Sequence, residues 1–407
     1  MTSEPTTAFV WIWLPGAQDP VVCGRIDADR SPVTFTYGRQ YLDRSDAVPI
    51  YEPELPLQAG TQTTASGTGL PLCIDDAMPD SWGRHLVNHR LGKPTTDFSD
   101  LTYLLQSGSN RIGALDFQSD QRTYVARESK PPSLRQLAEA IEAITAGKPV
   151  DPELADVLIN GTLIGGARPK AVLTGGGKQL IAKFSRSTDT YLWVQSEFVA
   201  MELARRAGLH VAPVEIMSAG ERLALLVERF DRTAGGHRRR MVSALTILGF
   251  NTFPDGRYAT YAGLAHQIRA QFVDPDATLR ELFSRISFNI LCGNTDDHGR
   301  NHAAFVDSHG LALTPAYDIT PQQRTGEAAQ QAMAYTDDIA NRDSRIELLL
   351  AAAGVYHLAD GEARDIVAEQ VHVIRGHWDE VCDTAKLTQT QRGSFMNHQF
   401  LNPHAFQ

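Results

Sequence analysis

The stretch from Leu279 to Asp318 constrains this chain more than any other. Apolar residues at three- and four-residue steps from Leu279 to Leu291 predict a helix, and Gly293 stops it. The run Gly293-Asn294-Thr295-Asp296-Asp297-His298-Gly299-Arg300-Asn301 has no regular period and reads as a loop. Two apolar runs, 303–306 and 311–313, then flank Asp307-Ser308-His309-Gly310, the composition of a hairpin turn. A helix that delivers a loop, followed by a hairpin that returns the chain, can bring Asn301 and Asp318 to one place.

Asp296 and Asn301 stand five positions apart, with a second Asp downstream. Phosphoryl-transfer sites use that arrangement: one Asp accepts the hydroxyl proton, and the Asn and the second Asp hold magnesium. The His-Arg that commonly precedes such a loop is absent here, and Asp318 sits in Tyr-Asp-Ile rather than Asp-Phe-Gly. A site of this kind also needs the nucleotide phosphates clamped, and the chain supplies candidates upstream in order. Gly165, Gly166 and Ala167 lie in a turn whose backbone N–H groups could face a phosphate. It is no Walker A loop, because Lys and Ser/Thr do not follow. A Gly-rich hairpin over 171–184 carries Lys183 on its second strand, in Ile-Ala-Lys. Glu197 lies on a helix patterned from Leu192 to Gly208, where it either pairs with Lys183 or is a solvated helix carboxylate. The buried-type strand 223–227 runs into Glu228-Arg229-Phe230-Asp231-Arg232. That is either a nucleotide-facing hinge, with Phe230 near the base and Asp231 near the ribose, or a charged strand end.

The bulk composition narrows the alternatives. The 407 residues are 42% hydrophobic and 21% charged, enough for two or three cores. Forty-eight acidic against 38 basic residues give a net charge of −10, a poor balance for binding DNA alone. The one dense basic run, His237-Arg238-Arg239-Arg240, reads as a solvated hairpin arm, with a phosphate or partner contact as the alternative. The four cysteines are scattered with no Cys-x-x-Cys pair, so zinc and disulfide frameworks have no support and a reducing cytoplasm fits. Met1-Thr2-Ser3-Glu4-Pro5 lacks the charged start and apolar core expected of a signal peptide, and no apolar run approaches the roughly 18 residues expected of a membrane-spanning helix. Short strands over 8–57, a helical pattern over about 76–106, a helix capped by Ser133 and a helical pattern beyond about 344 complete the outline.

Several of these segments together resemble the HipA-like serine/threonine kinase toxins. They are Gly-Gly-Ala-Arg-Pro-Lys at 165–170, Glu-Arg-Phe-Asp-Arg at 228–232, the 293–301 run and Leu-Thr-Pro-Ala-Tyr-Asp at 313–318, with Pro-Asp-Ser-Trp-Gly-Arg at 79–84. The resemblance implies an α+β, two-lobed kinase-like fold with a β-rich N-terminal lobe and a helix-dominated C-terminal lobe. Its parts would be a β-rich N-terminal subdomain (1–130), a nucleotide-binding part (131–232) and a helical part with the catalytic loop (233–407). It further implies ATP and Mg²⁺ as cofactors, a protein substrate such as an aminoacyl-tRNA synthetase, and growth arrest. The implied partner is a HipB-like helix-turn-helix antitoxin, through which DNA would be reached. By the resemblance Asp296 is the general base, Lys183 contacts the phosphates, and Asn301 and Asp318 hold the metal. Gly165, Gly166 and Ala167 form the phosphate-side loop, and Glu228, Phe230 and Asp231 line the adenosine pocket. The serine that many members autophosphorylate corresponds to Leu163, so self-modification is expected to be lost or moved to Thr162.

Three points stay open at this level. His298 has a positioning or phosphate-side role, or is a structural loop histidine. Asp297 reads as a helix-cap or surface carboxylate. Asp80 and Trp82 read as turn and packing residues, and Lys170 as a loop anchor. A metal-dependent hydrolase using Asp296, Asp297, His298 and His302, and a silent pseudokinase acting as co-repressor, are the competing functions.

Overall fold

The computed structural model describes residues 4–29, 32–63, 69–93, 95, 97–127, 133–148, 150, 152–161, 168–175, 177–251, 255–324, 326 and 328–407. The fold is α+β. It forms two compact units, each built from two stretches of chain: Met1–Phe184 with Arg229–Val242, and Ser185–Glu228 with Ser243–Gln407.

The first unit begins with a five-stranded antiparallel sheet in the order Thr61–Gln62, Thr34–Tyr37, Val21–Asp27, Thr7–Ile12, Leu115–Gln118. Ala8, Val10 and Ile12 are fully buried, every second residue of their strand, as a sheet packed on one face requires. Ser133 caps the helix Leu134–Thr145 in a capping box with Gln136. Leu137, Ala140, Ile141 and Ile144 form its buried stripe. The Gly-rich hairpin pairs Lys170–Gly175 with Lys178–Phe184, so that Lys170 faces Lys183 in the register.

Two buried polar contacts tie distant parts of this unit together. Lys170 Nζ lies 2.6 Å from Asp80 Oδ2, and both side chains are almost wholly buried. The other oxygen of Asp80 accepts the Gly83 N–H at 2.7 Å and caps the helix Ser81–Arg90. Asp80 is therefore both a cap and a counter-ion, more than the turn residue its sequence context suggests. The second contact centres on Asp231. Its carboxylate accepts the Gly113 N–H at 2.8 Å, Arg229 Nε and Nη2 at 2.9 and 2.7 Å, and Arg232 Nη1 at 2.8 Å. The same two guanidinium groups also donate to the Arg111 carbonyl. Burial alone would push the Asp231 carboxyl up, but Arg229 and Arg232 hold it well below the ordinary carboxylate range.

The basic run is not a solvated arm. The Arg238 guanidinium lies 3.4 Å from the Trp13 ring centroid and donates to the Ser109 carbonyl at 2.9 Å. Arg240 donates to the Pro49 carbonyl at 2.6 Å. A flat, weakly hydrated guanidinium can stack on an indole while its edge donates, so a basic run can pack where lysines would stay in water.

The second unit is mostly helical. The helix Trp193–Arg206 ends in Ala207 and Gly208, and the hairpin Val214–Ala219/Arg222–Glu228 follows. The helix Pro275–Cys292 starts at the Asp274 cap with Pro275 in the first turn, and it lies beside the 25-residue helix Asp360–Thr384. Buried Gln370 joins these two helices: its Oε1 accepts Ser287 Oγ at 2.6 Å and its Nε2 donates to the Ser284 carbonyl at 2.8 Å. Arg206 reaches the long helix through a forked contact with Glu380 at 2.6 and 2.8 Å. All four cysteines are buried thiols. Among the described residues, no helix is long and apolar enough to cross a membrane.

Candidate active site

The loop expected to carry chemistry begins where the helix Pro275–Cys292 ends. Gly293 sits at φ 74° in the left-handed region, and Asn294 N–H turns back to the Asn289 carbonyl at 2.9 Å. A Cβ on Gly293 would lie 2.7 Å from the Gln399 carbonyl oxygen, so both conformation and space require glycine. Asn294 is buried and its amide donates to Asn289 Oδ1 at 3.0 Å. These contacts fix the direction in which the loop leaves the helix.

From there the side chains part to two sides. Asp296 and His298 are exposed, whereas Asp297 and Gly299 are buried. The Asp296 carbonyl accepts two bonds, from His298 N–H at 2.8 Å and from Asn301 Nδ2 at 3.1 Å. The five-residue spacing read from the sequence is thus a closed turn, in which Asn301 reaches back to Asp296. With its Nδ2 engaged, the remaining polar atom of the Asn301 amide is an oxygen acceptor.

Asp318 comes to this loop from the hairpin Ala303–Asp307/Gly310–Leu313. Thr314 N–H continues the ladder to the Ala303 carbonyl at 2.9 Å. Ala316 then pairs with the 210–212 segment through bonds of 2.7 and 2.9 Å, and Arg285 donates to the Thr314 carbonyl at 2.8 Å. Tyr317 Oη donates to the Arg300 carbonyl at 2.6 Å, which joins this segment to the loop. Asp318 itself has φ 58°, a left-handed conformation that Asp tolerates better than most residues.

The electrostatics link the two carboxylates. Asp296 is raised above the usual carboxylate range, above all by lost solvation, against a downward pull from His298, with the charges of Asp318 and Asp297 adding to the rise. Asn301 and Asp318 offer the hard oxygen donors that suit magnesium. Among the described residues no group of three or more His, Cys, Asp or Glu forms a metal site.

Asp297 corrects the sequence reading, since it is neither a helix cap nor a surface carboxylate. It is 3% exposed, and its Oδ2 accepts the Tyr261 hydroxyl at 2.6 Å and meets His302 Nε2 at 2.8 Å. Burial would raise its carboxyl, but the His302 and Tyr261 contacts hold it below the ordinary range. Tyr261 and His302 were missed by the sequence reading as partners of the loop. The signal that could have found His302 is its spacing: Asp297 and His302 repeat, one residue on, the interval between Asp296 and Asn301.

The remaining expected residues are divided between the two units. Lys183, Phe230 and Asp231 belong to the first unit, and Glu197 and Glu228 to the second. Lys183 is half-buried, on the face of its strand opposite buried Ala182 and Phe184. Phe230 and Glu228 are half-buried, and Glu197 is buried within its helix. Asp231 has both oxygens engaged within the first unit, by Gly113, Arg229 and Arg232. Gly165, Gly166 and Ala167, with Thr162 and Leu163, lie outside the described residues.

Comparison with known proteins decides the family. Residues 162–378 match the profile of the HipA-like C-terminal domain, and residues 17–118 match that of the HipA N-terminal domain. The chain belongs to the HipA-like kinase family. It is similar to the serine/threonine-protein kinase toxin HipA of Shewanella oneidensis, with 24% identity over 367 residues, 82% of this chain and 80% of that protein. It is also 28% identical over 340 residues to Y4mE of Sinorhizobium fredii, a protein named as a kinase, covering 77% of each. Among solved structures, the Shewanella oneidensis complex of HipA, HipB and operator DNA matches with a TM-score of 0.71 and 22% identity, over 96% of this chain and 94% of that one. As a member of this family the HipA-like chain is a serine/threonine protein kinase.

Proposed function

We propose that this HipA-like kinase uses ATP and Mg²⁺ to phosphorylate a protein hydroxyl and thereby halts growth, as the toxin of a toxin–antitoxin pair. Asp296 is the base that receives the hydroxyl proton. Its raised carboxyl favours that task, because a base with higher proton affinity takes the proton more readily. Asn301 and Asp318 hold the metal, which offsets phosphate charge when bound. Lys183 meets the phosphates, with Gly165, Gly166 and Ala167 on the phosphate side. Glu228 and Phe230 line the adenosine pocket. Exposed His298 stands beside the base, where it tempers the Asp296 charge and faces the phosphates.

The observation that carries this reading is the closed turn from Asp296 to Asn301, which presents Asp296 outward while Asp297 is taken inward. The substrate is a protein such as an aminoacyl-tRNA synthetase, and the protein works in the cytoplasm, away from membranes. Its partner is a HipB-like antitoxin, through which it meets DNA. An acidic chain with net charge −10 is suited to a partner that supplies the positive charge for DNA. The test is transfer of label from radioactive ATP into host lysate by the native protein and by Asp296→Ala. A labelled band lost in the variant identifies the substrate. Growth arrest that survives Asp296→Ala places the toxic activity elsewhere.

A further inference from the structure

Three side chains beneath the loop take no part in the chemistry proposed above, yet each is held by close contacts. Asp297 follows the proposed base directly, and His302 follows the proposed metal ligand Asn301. Both point inward, and they meet at 2.8 Å. Tyr261 comes from the first turn of the helix Tyr261–Gln271 and donates to the same Asp297 oxygen at 2.6 Å. All three are nearly or fully buried. The anchor is itself anchored. Tyr261 N–H donates to the Ala334 carbonyl at 2.8 Å, and its ring stacks with Tyr335. The His302 carbonyl accepts Ala244 N–H at 2.8 Å, at the start of the helix Ala244–Leu248. His302 Nδ1 is buried with no hydrogen-bond partner among the described residues. His302 Nε2 is thus the ring nitrogen that meets the Asp297 carboxylate.

We infer that Asp297, His302 and Tyr261 form a buried clasp that positions Asp296 and Asn301 for phosphoryl transfer. Each clasp residue of the loop is covalently next to a working residue: buried Asp297 follows exposed Asp296, and buried His302 follows Asn301, whose amide closes the turn onto the Asp296 carbonyl. Holding Asp297 and His302 fixes the backbone that carries Asp296 and Asn301, as the supporting residues of a preorganised site do. The three are positioning residues, because all are buried beneath the loop and act through its working residues. The inference rests on the kinase reading of the loop, and its test separates the two.

The experiment measures phosphoryl transfer at saturating and limiting ATP for Tyr261→Phe, Asp297→Asn, His302→Ala, His302→Gln and the double variant Asp297→Asn/His302→Ala. Binding of Mn²⁺ in the presence of a non-hydrolysable ATP analogue is read alongside by electron paramagnetic resonance. Misplacing a working group by about 1 Å costs roughly 100-fold in rate. The expected result is a fall of about that size in kcat for Asp297→Asn and His302→Ala, with a smaller fall for Tyr261→Phe. KM for ATP should change little, and Mn²⁺ binding should weaken. His302→Gln, which restores a donor at similar reach, should regain part of the rate, and the double variant should lose no more than the worse single one. Tyr261→Phe keeps the ring and its stacking, so it carries the test if a harsher variant fails to fold. Wild-type kcat and Mn²⁺ binding in Tyr261→Phe, or in whichever others fold, overturns the clasp while leaving the kinase reading intact. Full transfer by Asp296→Ala instead overturns the kinase reading itself.

Discussion

Replacing Gly293 with alanine should damage the second unit more than the same change at Gly208, and the difference can be worked out in advance. Both glycines close a helix in the same way. Each has positive φ, 74° and 85°, and in each case the next N–H returns to a carbonyl one turn back, from Asn294 to Asn289 and from Leu209 to Ala204. They differ in surroundings. A Cβ on Gly208 meets nothing within 4 Å, whereas one on Gly293 comes to 2.7 Å from the Gln399 main-chain oxygen. Gly208→Ala therefore carries only left-handed strain, about 1–2 kcal/mol. Gly293→Ala adds a clash with backbone that cannot rotate away, about 1–3 kcal/mol more. In a unit of about 200 residues each kcal/mol moves Tm by roughly 2–4 °C. Gly208→Ala should lower the transition by about 2–8 °C, and Gly293→Ala should fall below it by a further 2–12 °C or so. Scanning calorimetry of the two variants reads this directly. At a temperature where both are folded, only Gly293→Ala should lose phosphoryl transfer, since the catalytic loop starts there. Equal transitions for the two variants would refute the argument that Gln399 fixes the start of the loop.

Other perturbations give equally definite expectations. Lys170→Met leaves the buried Asp80 carboxylate without its counter-charge and should cost about 3–5 kcal/mol, measured by urea unfolding. Adding Asp80→Asn, which keeps an oxygen for the helix cap, should recover part of that loss. Asp231→Asn uncovers the buried guanidinium groups of Arg229 and Arg232 and should cost a similar amount at pH 7. Because the folded Asp231 carboxyl titrates below its unfolded value, its stabilisation is present above about pH 4 and is lost as pH falls toward the low folded value, so the gap between wild type and variant should narrow in acid. Arg238→Ala removes the stack on Trp13 and should destabilise by about 1–2 kcal/mol, with a change in tryptophan emission. Incubation with ATP followed by mass spectrometry should find phosphate on Thr162 if self-modification has moved there; phosphate on neither Thr162 nor a neighbouring Ser/Thr removes that idea.

The parts of this molecule that local pattern encodes were readable before any coordinates. The helix into the loop, both hairpins, the Ser133 cap and the Asp296–Asn301 interval all follow from period, turn chemistry and spacing. What the sequence hid was set by contacts across long separations. Asp297 turns inward because Tyr261, 36 positions earlier, offers it a hydroxyl, and nothing in a nine-residue loop announces which of two adjacent Asp residues that will be. Asp80 meets Lys170 across 90 positions, and Arg229 meets Asn110 across 119. The basic run misled for a related reason: charge alone suggests water, while the Trp13 indole and the Ser109 carbonyl that receive Arg238 come from remote loops.

The chain changes units three times, after Phe184, after Glu228 and after Val242. Neither unit is therefore a continuous stretch of coding sequence. A single recombination point could not exchange one unit for a homologue's without splitting it, because the fourteen residues from Arg229 to Val242 would come from the wrong parent. Those residues include the guanidinium groups that enclose Asp231 and the one that stacks on Trp13. Chimaeras joined at residue 184 alone should inherit mismatched partners there, whereas those that also carry 229–242 from the N-terminal parent should fold.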